Sequence, residues 1–223
     1  MIDIQSSVNN IGTFKTPSSE EEYKYEPMFW QSSVEYALEN GGSLTKEFIT
    51  KALEALQVAG VFNNEPPPMV FDSRVHMLMP TWSPAIAGWH HDDVPRSLPN
   101  GQPNYFTPEY DSKHVLGLVN AEICPTEWAT GTSRFPLYTE DVYKNYNRDV
   151  ERKLEAGELL SLKSKSGVIY QFNSYTWHRA TLAKKSGWRW FGRLSWDTPL
   201  ADNPRNEIRK QVQVYLTEPD KGW

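Results

Sequence analysis

Gly88-Trp89-His90-His91-Asp92-Asp93-Val94-Pro95-Arg96 holds two of the five histidines of this 223-residue chain beside two consecutive aspartates. On an extended strand, residues two apart share a face, so His90 and Asp92 can point at one ion together. His91 and Asp93 form a second such pair on the opposite face. One ion can use either pair but not both. A His-x-Asp pair arises by chance in many chains, so its meaning depends on what else the sequence offers.

Two further segments add to it. Gly167-Val168-Ile169-Tyr170-Gln171-Phe172 reads as an apolar strand opened by a glycine, and a loop carries it to Trp177-His178-Arg179-Ala180. Two histidines and one carboxylate on one side of an ion leave three coordination positions open, as an iron(II) oxygenase needs for cosubstrate and dioxygen. The stretch Trp188-Arg189-Trp190-Phe191-Gly192-Arg193-Leu194-Ser195-Trp196 then puts Arg189 and Arg193 on one face of an aromatic strand. Burying a guanidinium among such rings is costly unless it meets an anion. A carboxylate is the natural partner because arginine grips it with two parallel N–H bonds. The plainer alternative is a salt bridge to an internal Asp or Glu.

Taken together, His90-x-Asp92, His178, and an arginine eleven residues after it resemble the iron(II)/2-oxoglutarate-dependent oxygenases. The spacing is similar to that of the phytanoyl-CoA hydroxylase and taurine dioxygenase branches. The likeness covers roughly residues 70–197 and implies a double-stranded β-helix of the jelly-roll or cupin kind. It implies that His90, Asp92 and His178 hold Fe(II), since the preceding Gly88-Trp89 fits the family pattern in that register. It further implies that Arg189 grips the distal carboxylate of 2-oxoglutarate and that Arg193 is a second arginine facing the pocket. The implied reaction consumes 2-oxoglutarate and dioxygen, releases succinate and carbon dioxide, and hydroxylates or desaturates a substrate. Halogenation is less expected, because Asp92 is present. Two other readings stay open: a cupin-like metal enzyme without 2-oxoglutarate, for which Arg189 has no use, and a non-catalytic jelly-roll binding module.

The rest of the chain supports a mainly β fold with helical cover. Residues 1–27 are polar and read as a loose or extended arm. Apolar spacing predicts a helix over 29–39 ending at Asn40-Gly41-Gly42, and a second helix capped by Ser43 with Leu44, Phe48, Ile49, Ala52, Leu53 and Leu56 as its stripe. Beyond Pro66-Pro67-Pro68 the segments 69–79, 88–94, 114–123, 128–135, 167–172, 188–196 and 211–216 read as strands, with a helix or excursion over 142–160. This divides the chain into covering elements (1–65) and an oxygenase core (66–223). Segment 211–216 reads as an edge strand able to pair across a dimer.

Composition narrows the class. A net charge of −5 without a basic stripe argues against a dedicated nucleic-acid binder, although a nucleobase or protein substrate stays open. A small-molecule substrate is the leading expectation. One cysteine, Cys124, allows neither an internal disulfide nor a Cys-based zinc site. No leader-like start and no long apolar run is seen, so a soluble cytoplasmic protein is expected. Arg74, His76, Asn120, Thr132 and Tyr170 are secondary polar candidates on inner strands. Trp82, Trp89, Trp177, Trp188 and Trp190 form either an aromatic wall or packing between layers, and His114 reads as structural.

Overall fold

The computed structural model describes residues 1–98 and 102–216. Its elements in chain order are β1 (Ile2–Ser6), β2 (Val8–Thr13), β3 (Met28–Trp30), β4 (Ser32–Ser33), α1 (Val34–Asn40), α2 (Ser43–Val58), β5 (Val70–Leu78), β6 (Lys113–Val119) and β7 (Thr126–Phe135). They continue with α3 (Val142–Glu155), β8 (Leu160–Lys163), β9 (Val168–Asn173), β10 (Trp177–Ala180), β11 (Gly187–Trp196) and β12 (Glu207–Arg209).

All the pairings are antiparallel. The larger sheet runs β2-β9-β6-β11-β5-β4. In the smaller one β7 is flanked by β10 and β8, and it also pairs β1 along its C-terminal half. His90 joins the outer edge of β10 by a bridge to His178, with N–H···O distances of 3.0 and 3.2 Å in the two directions. From β5 onward the chain passes between the two sheets in the order of a double-stranded β-helix, so the fold is the expected jelly roll.

Alternation along β11 explains why both of its faces are buried. Trp190 and Leu194 point outward into a core made with Phe48, Ile49, Ala52 and Leu56 of α2, and with Phe14 and Phe71. Arg189, Phe191 and Arg193 point the other way, between the sheets. Gly117 on β6 lets α2 sit this close, because a Cβ there would stand 2.5 Å from the Phe48 ring and 2.8 Å from that of Phe14. A second core packs α3, through Val142, Tyr143, Tyr146 and Val150, over Trp89, Phe135 and Trp177 on the outside of the smaller sheet. Between the sheets lie Leu116, Leu118, Trp128, Tyr170 and Phe172.

Several boundaries differ from the sequence expectation. The first thirteen residues are extended but not loose. β1 lies along β7 from Ile2 opposite Phe135 to Ser6 opposite Gly131, and β2 adds to the larger sheet against β9. Phe29 and Trp30 are not helical, since β3 pairs with distant β12. α1 starts only at Val34, where the Ser33 side chain accepts from Tyr36 N. Gly42 rather than Ser43 is the N-cap of α2, and Glu26 supplies the missing acceptor. Its buried carboxylate takes N–H bonds from Gly42 (3.1 Å) and Leu44 (2.9 Å), and the Thr45 hydroxyl donates to it (2.7 Å). Segment 88–94 forms a single bridge rather than a ladder strand. Segment 211–216 is no strand either; Tyr215 alone bridges Ser83.

Candidate active site

His90 and His178 face each other across the bridge that joins their segments, with ring centroids 4.5 Å apart. Each ring is oriented the same way. His90 Nδ1 lies 2.9 Å from the carbonyl of Gly88, and His178 Nδ1 lies 2.9 Å from that of Thr176, two residues back in both cases. A carbonyl can only accept, so Nδ1 is the donor in both contacts and Nε2 is the ring nitrogen left to face the cluster. Both Nε2 atoms turn toward Asp92, His90 at 3.7 Å from Oδ1 and His178 at 3.3 Å from Oδ2. The three ligand atoms lie within 4.8 Å of one another. Burial, and after it the neighbouring His178, pulls the His90 pKa down to about 4, so this ring is neutral at pH 7. Burial pushes the Asp92 carboxyl upward, but Arg193 and then His178 outweigh it and hold the group well below the usual carboxylate range.

The second His-Asp pair is directed elsewhere. The His91 ring stacks on Trp177 with centroids 3.6 Å apart, and its Nδ1 lies 3.3 Å from the Tyr105 hydroxyl. Asp93 leaves the strand conformation, with φ of 50°, and accepts from the Ser112 hydroxyl at 2.6 Å. The structure therefore gathers His90, Asp92 and His178, and separates His91 and Asp93 from them.

Beside this cluster lies a cavity of about 600 Å³. Its floor is the β5–β11 ladder, in which Arg189 stands opposite His76, Phe191 opposite Arg74, and Arg193 opposite Asp72. Arg189 is only 2% exposed, and its Nε donates to the Cys124 carbonyl at 2.7 Å. Among the described residues it makes no ion pair, and burial lowers its pKa. Arg193 is placed differently: it is ion-paired with Asp92 and lies 3.5 Å from Asp72 Oδ2. Burial works against its charge, yet Asp92 and then Asp72 raise its pKa.

Of the secondary candidates, Arg74 and His76 line the cavity. Burial, then Arg189 and Arg74, lower the His76 pKa to about 3, and its Nδ1 has no partner. Asn120 instead donates to Trp188 O (2.8 Å), Tyr170 accepts from Lys165 N (3.1 Å), and Thr132 is exposed. Trp89, Trp177 and Trp190 are fully buried in the layer cores, and His114 meets the Ser195 hydroxyl at 2.8 Å. Asp72, on the β5 parity of Arg74 and His76, also lines the cavity and was not among the residues expected there. Residues 211–216 read as an edge strand, whereas Arg209, Gln211, Gln213 and Tyr215, at a spacing of two, form a wall of the cavity without pairing as a ladder beyond the Tyr215 bridge.

No family model matches the sequence, and no curated protein matches it. Solved structures do show similarity. Apo HygX from Streptomyces hygroscopicus is 12% identical, with 87% of this chain and 84% of that chain covered, at a TM-score of 0.47. AviO1 from Streptomyces viridochromogenes Tue57 is 12% identical over 87% and 91%, at 0.45. SnoK, a non-heme alpha ketoglutarate dependent carbocyclase from nogalamycin biosynthesis, is 14% identical over 73% and 61%, at 0.42. At these values no function passes from them to this chain.

Proposed function

We propose that this chain is an iron(II)- and 2-oxoglutarate-dependent dioxygenase, an oxidoreductase that hydroxylates an organic small molecule with release of succinate and carbon dioxide. One observation carries the reading: a buried guanidinium, Arg189, has no acidic partner among the described residues and shares its cavity with an inward-facing His-Asp-His set. A buried cation without a counter-ion is expensive, and an anionic ligand removes the cost. A cupin-like metal enzyme or a binding module without 2-oxoglutarate leaves Arg189 unexplained.

The donor set fits the metal. Two imidazole nitrogens and one carboxylate suit a divalent first-row ion, and they would occupy one side of it. The carbonyls of Gly88 and Thr176 fix both rings from behind, the outer-shell support that sets tautomer and orientation. Bound there, Fe(II) would supply the redox chemistry that couples 2-oxoglutarate decarboxylation to substrate oxidation. The protein's own part is positional. Arg189 would neutralise and align the far carboxylate of 2-oxoglutarate, with His76 beside it in the ladder. Arg193 holds Asp92 ionised and restricts its rotation. Phe191, Leu116 and Ile86 supply apolar walls that exclude water.

In this reading residues 66–223 form the oxygenase core and 1–65 cover it, with β1 and β2 extending the two sheets. No helix of the described residues is long and apolar enough to cross a membrane. The lone buried Cys124 suits a reducing cytoplasm. The purified protein should form succinate in air when given both iron(II) and 2-oxoglutarate, slowly on its own and faster with substrate. Succinate formation that is indifferent to added iron would refute the proposal.

A further inference from the structure

The chain carries a net charge of −5, yet the cavity beside the His-Asp-His cluster is lined by five arginines against two aspartates, Asp72 and Asp92. Arg179 is answered outside the cavity by Glu127 and Glu151, and Arg193 takes both aspartates. If Arg189 serves the cosubstrate, Arg74 and Arg209 remain. Arg74 has only a shared, 3.8 Å approach to Asp72, and Arg209 makes no ion pair among the described residues. Their charges are close enough for Arg209 to help burial and Asp72 set the Arg74 pKa at about 10; burial lowers it most, Asp72 opposes, and Arg209 lowers it further.

Both arginines are held in place by the same strand. Arg74 Nη1 donates to the carbonyls of Phe29 (2.8 Å) and Ser73 (2.6 Å), and Arg209 stands opposite Met28 in the β3–β12 pair. The Arg209 guanidinium stacks on the Trp30 ring, 3.9 Å from its centroid. Stacking occupies the face of a guanidinium and leaves its in-plane N–H donors available. Two like charges anchored on one strand and lining one cavity repel each other, and an anion bound between them relieves that repulsion. The side chains of Gln211 and Gln213, on the same wall, add neutral donors.

We propose that Arg74 and Arg209 form an oxyanion subsite at the wall of the cavity, and that the molecule oxidised there carries a carboxylate or a phosphate group. The word "oxidised" rests on the function proposed above; the subsite does not. A cavity that concentrates positive potential in an acidic protein selects anionic ligands and draws them in.

The test is calorimetric titration of sodium sulfate into protein loaded with Mn(II) and 2-oxoglutarate, which occupy the metal site and Arg189 without turnover. Sulfate should bind saturably at one site. The affinity should fall at least about tenfold in Arg209→Gln and in Arg74→Gln, the loss of a charge-assisted bond. Arg209 lies on a short exposed strand, so its variant keeps the fold even if Arg74→Gln does not. Equal sulfate binding by wild type and Arg209→Gln, or no saturable binding, overturns the subsite. If 2-oxoglutarate itself fails to bind, the oxygenase reading falls. The sulfate titration repeated in an Arg189→Gln background then still decides the subsite. Methyl phosphate displacing sulfate more effectively than acetate assigns a phosphate ester, the reverse order assigns a carboxylate, and failure of both overturns the proposal.

Discussion

Asp92→Ala weakens iron(II) binding by more than about 100-fold and abolishes succinate formation, while Asp93→Ala leaves metal affinity unchanged. Losing an outer-shell partner typically costs about 10–100-fold in metal affinity, so losing a ligand costs more. Asp92 is also the only anion in the set, and Arg193 would be left with Asp72 alone. Asp93 faces Ser112 instead, and its replacement removes one hydrogen bond and strains a left-handed φ, together roughly 1–2 kcal/mol of stability. Metal titration and denaturant unfolding of the two variants separate these effects. If the metal loss follows Asp93 instead, the opposite face of the motif is the ligand face.

Arg189→Gln should move binding and stability in different directions. Without ligand, the wild-type guanidinium is a buried charge with no ion pair among the described residues, so a neutral amide there relieves that cost and gives up only the bond to the Cys124 carbonyl. The thermal midpoint of the ligand-free variant therefore stays level or rises. With 2-oxoglutarate the same change removes a buried charge pair, worth about 2–5 kcal/mol, or roughly 30- to several-thousand-fold in affinity. A structural arginine would give the converse, a drop in the midpoint with little change in 2-oxoglutarate binding.

Part of the site was legible because His178, Arg189 and Arg193 sit on strands, where alternate residues share a face, whereas His90 and Asp92 converge from a segment that makes only a single bridge. The aromatic run from Trp188 to Trp196 places its arginines on the face opposite Trp190 and Leu194, and the structure keeps that division. The doubled His-His-Asp-Asp was not decidable from spacing. What separates its two faces is the stacking of His91 on Trp177, 86 residues away in the chain, which no local pattern reports. β2 was missed for a related reason. Val8-Asn9-Asn10-Ile11-Gly12-Thr13 has weak strand propensity and is held extended by its ladder with β9, across a register shift between Asn10 and Gly12. Phe29 and Trp30 fit a helical spacing in isolation, but β12, which pairs with them, lies near the other end of the chain. The arginine-rich wall at Arg209 likewise became visible only once Arg74 stood near it.

The most direct measurement is anaerobic addition of iron(II) and 2-oxoglutarate to the folded protein, followed by visible spectroscopy. A weak charge-transfer band is expected that needs both components and is lost in Asp92→Ala. A folded protein that shows no band with both present contradicts the oxygenase reading.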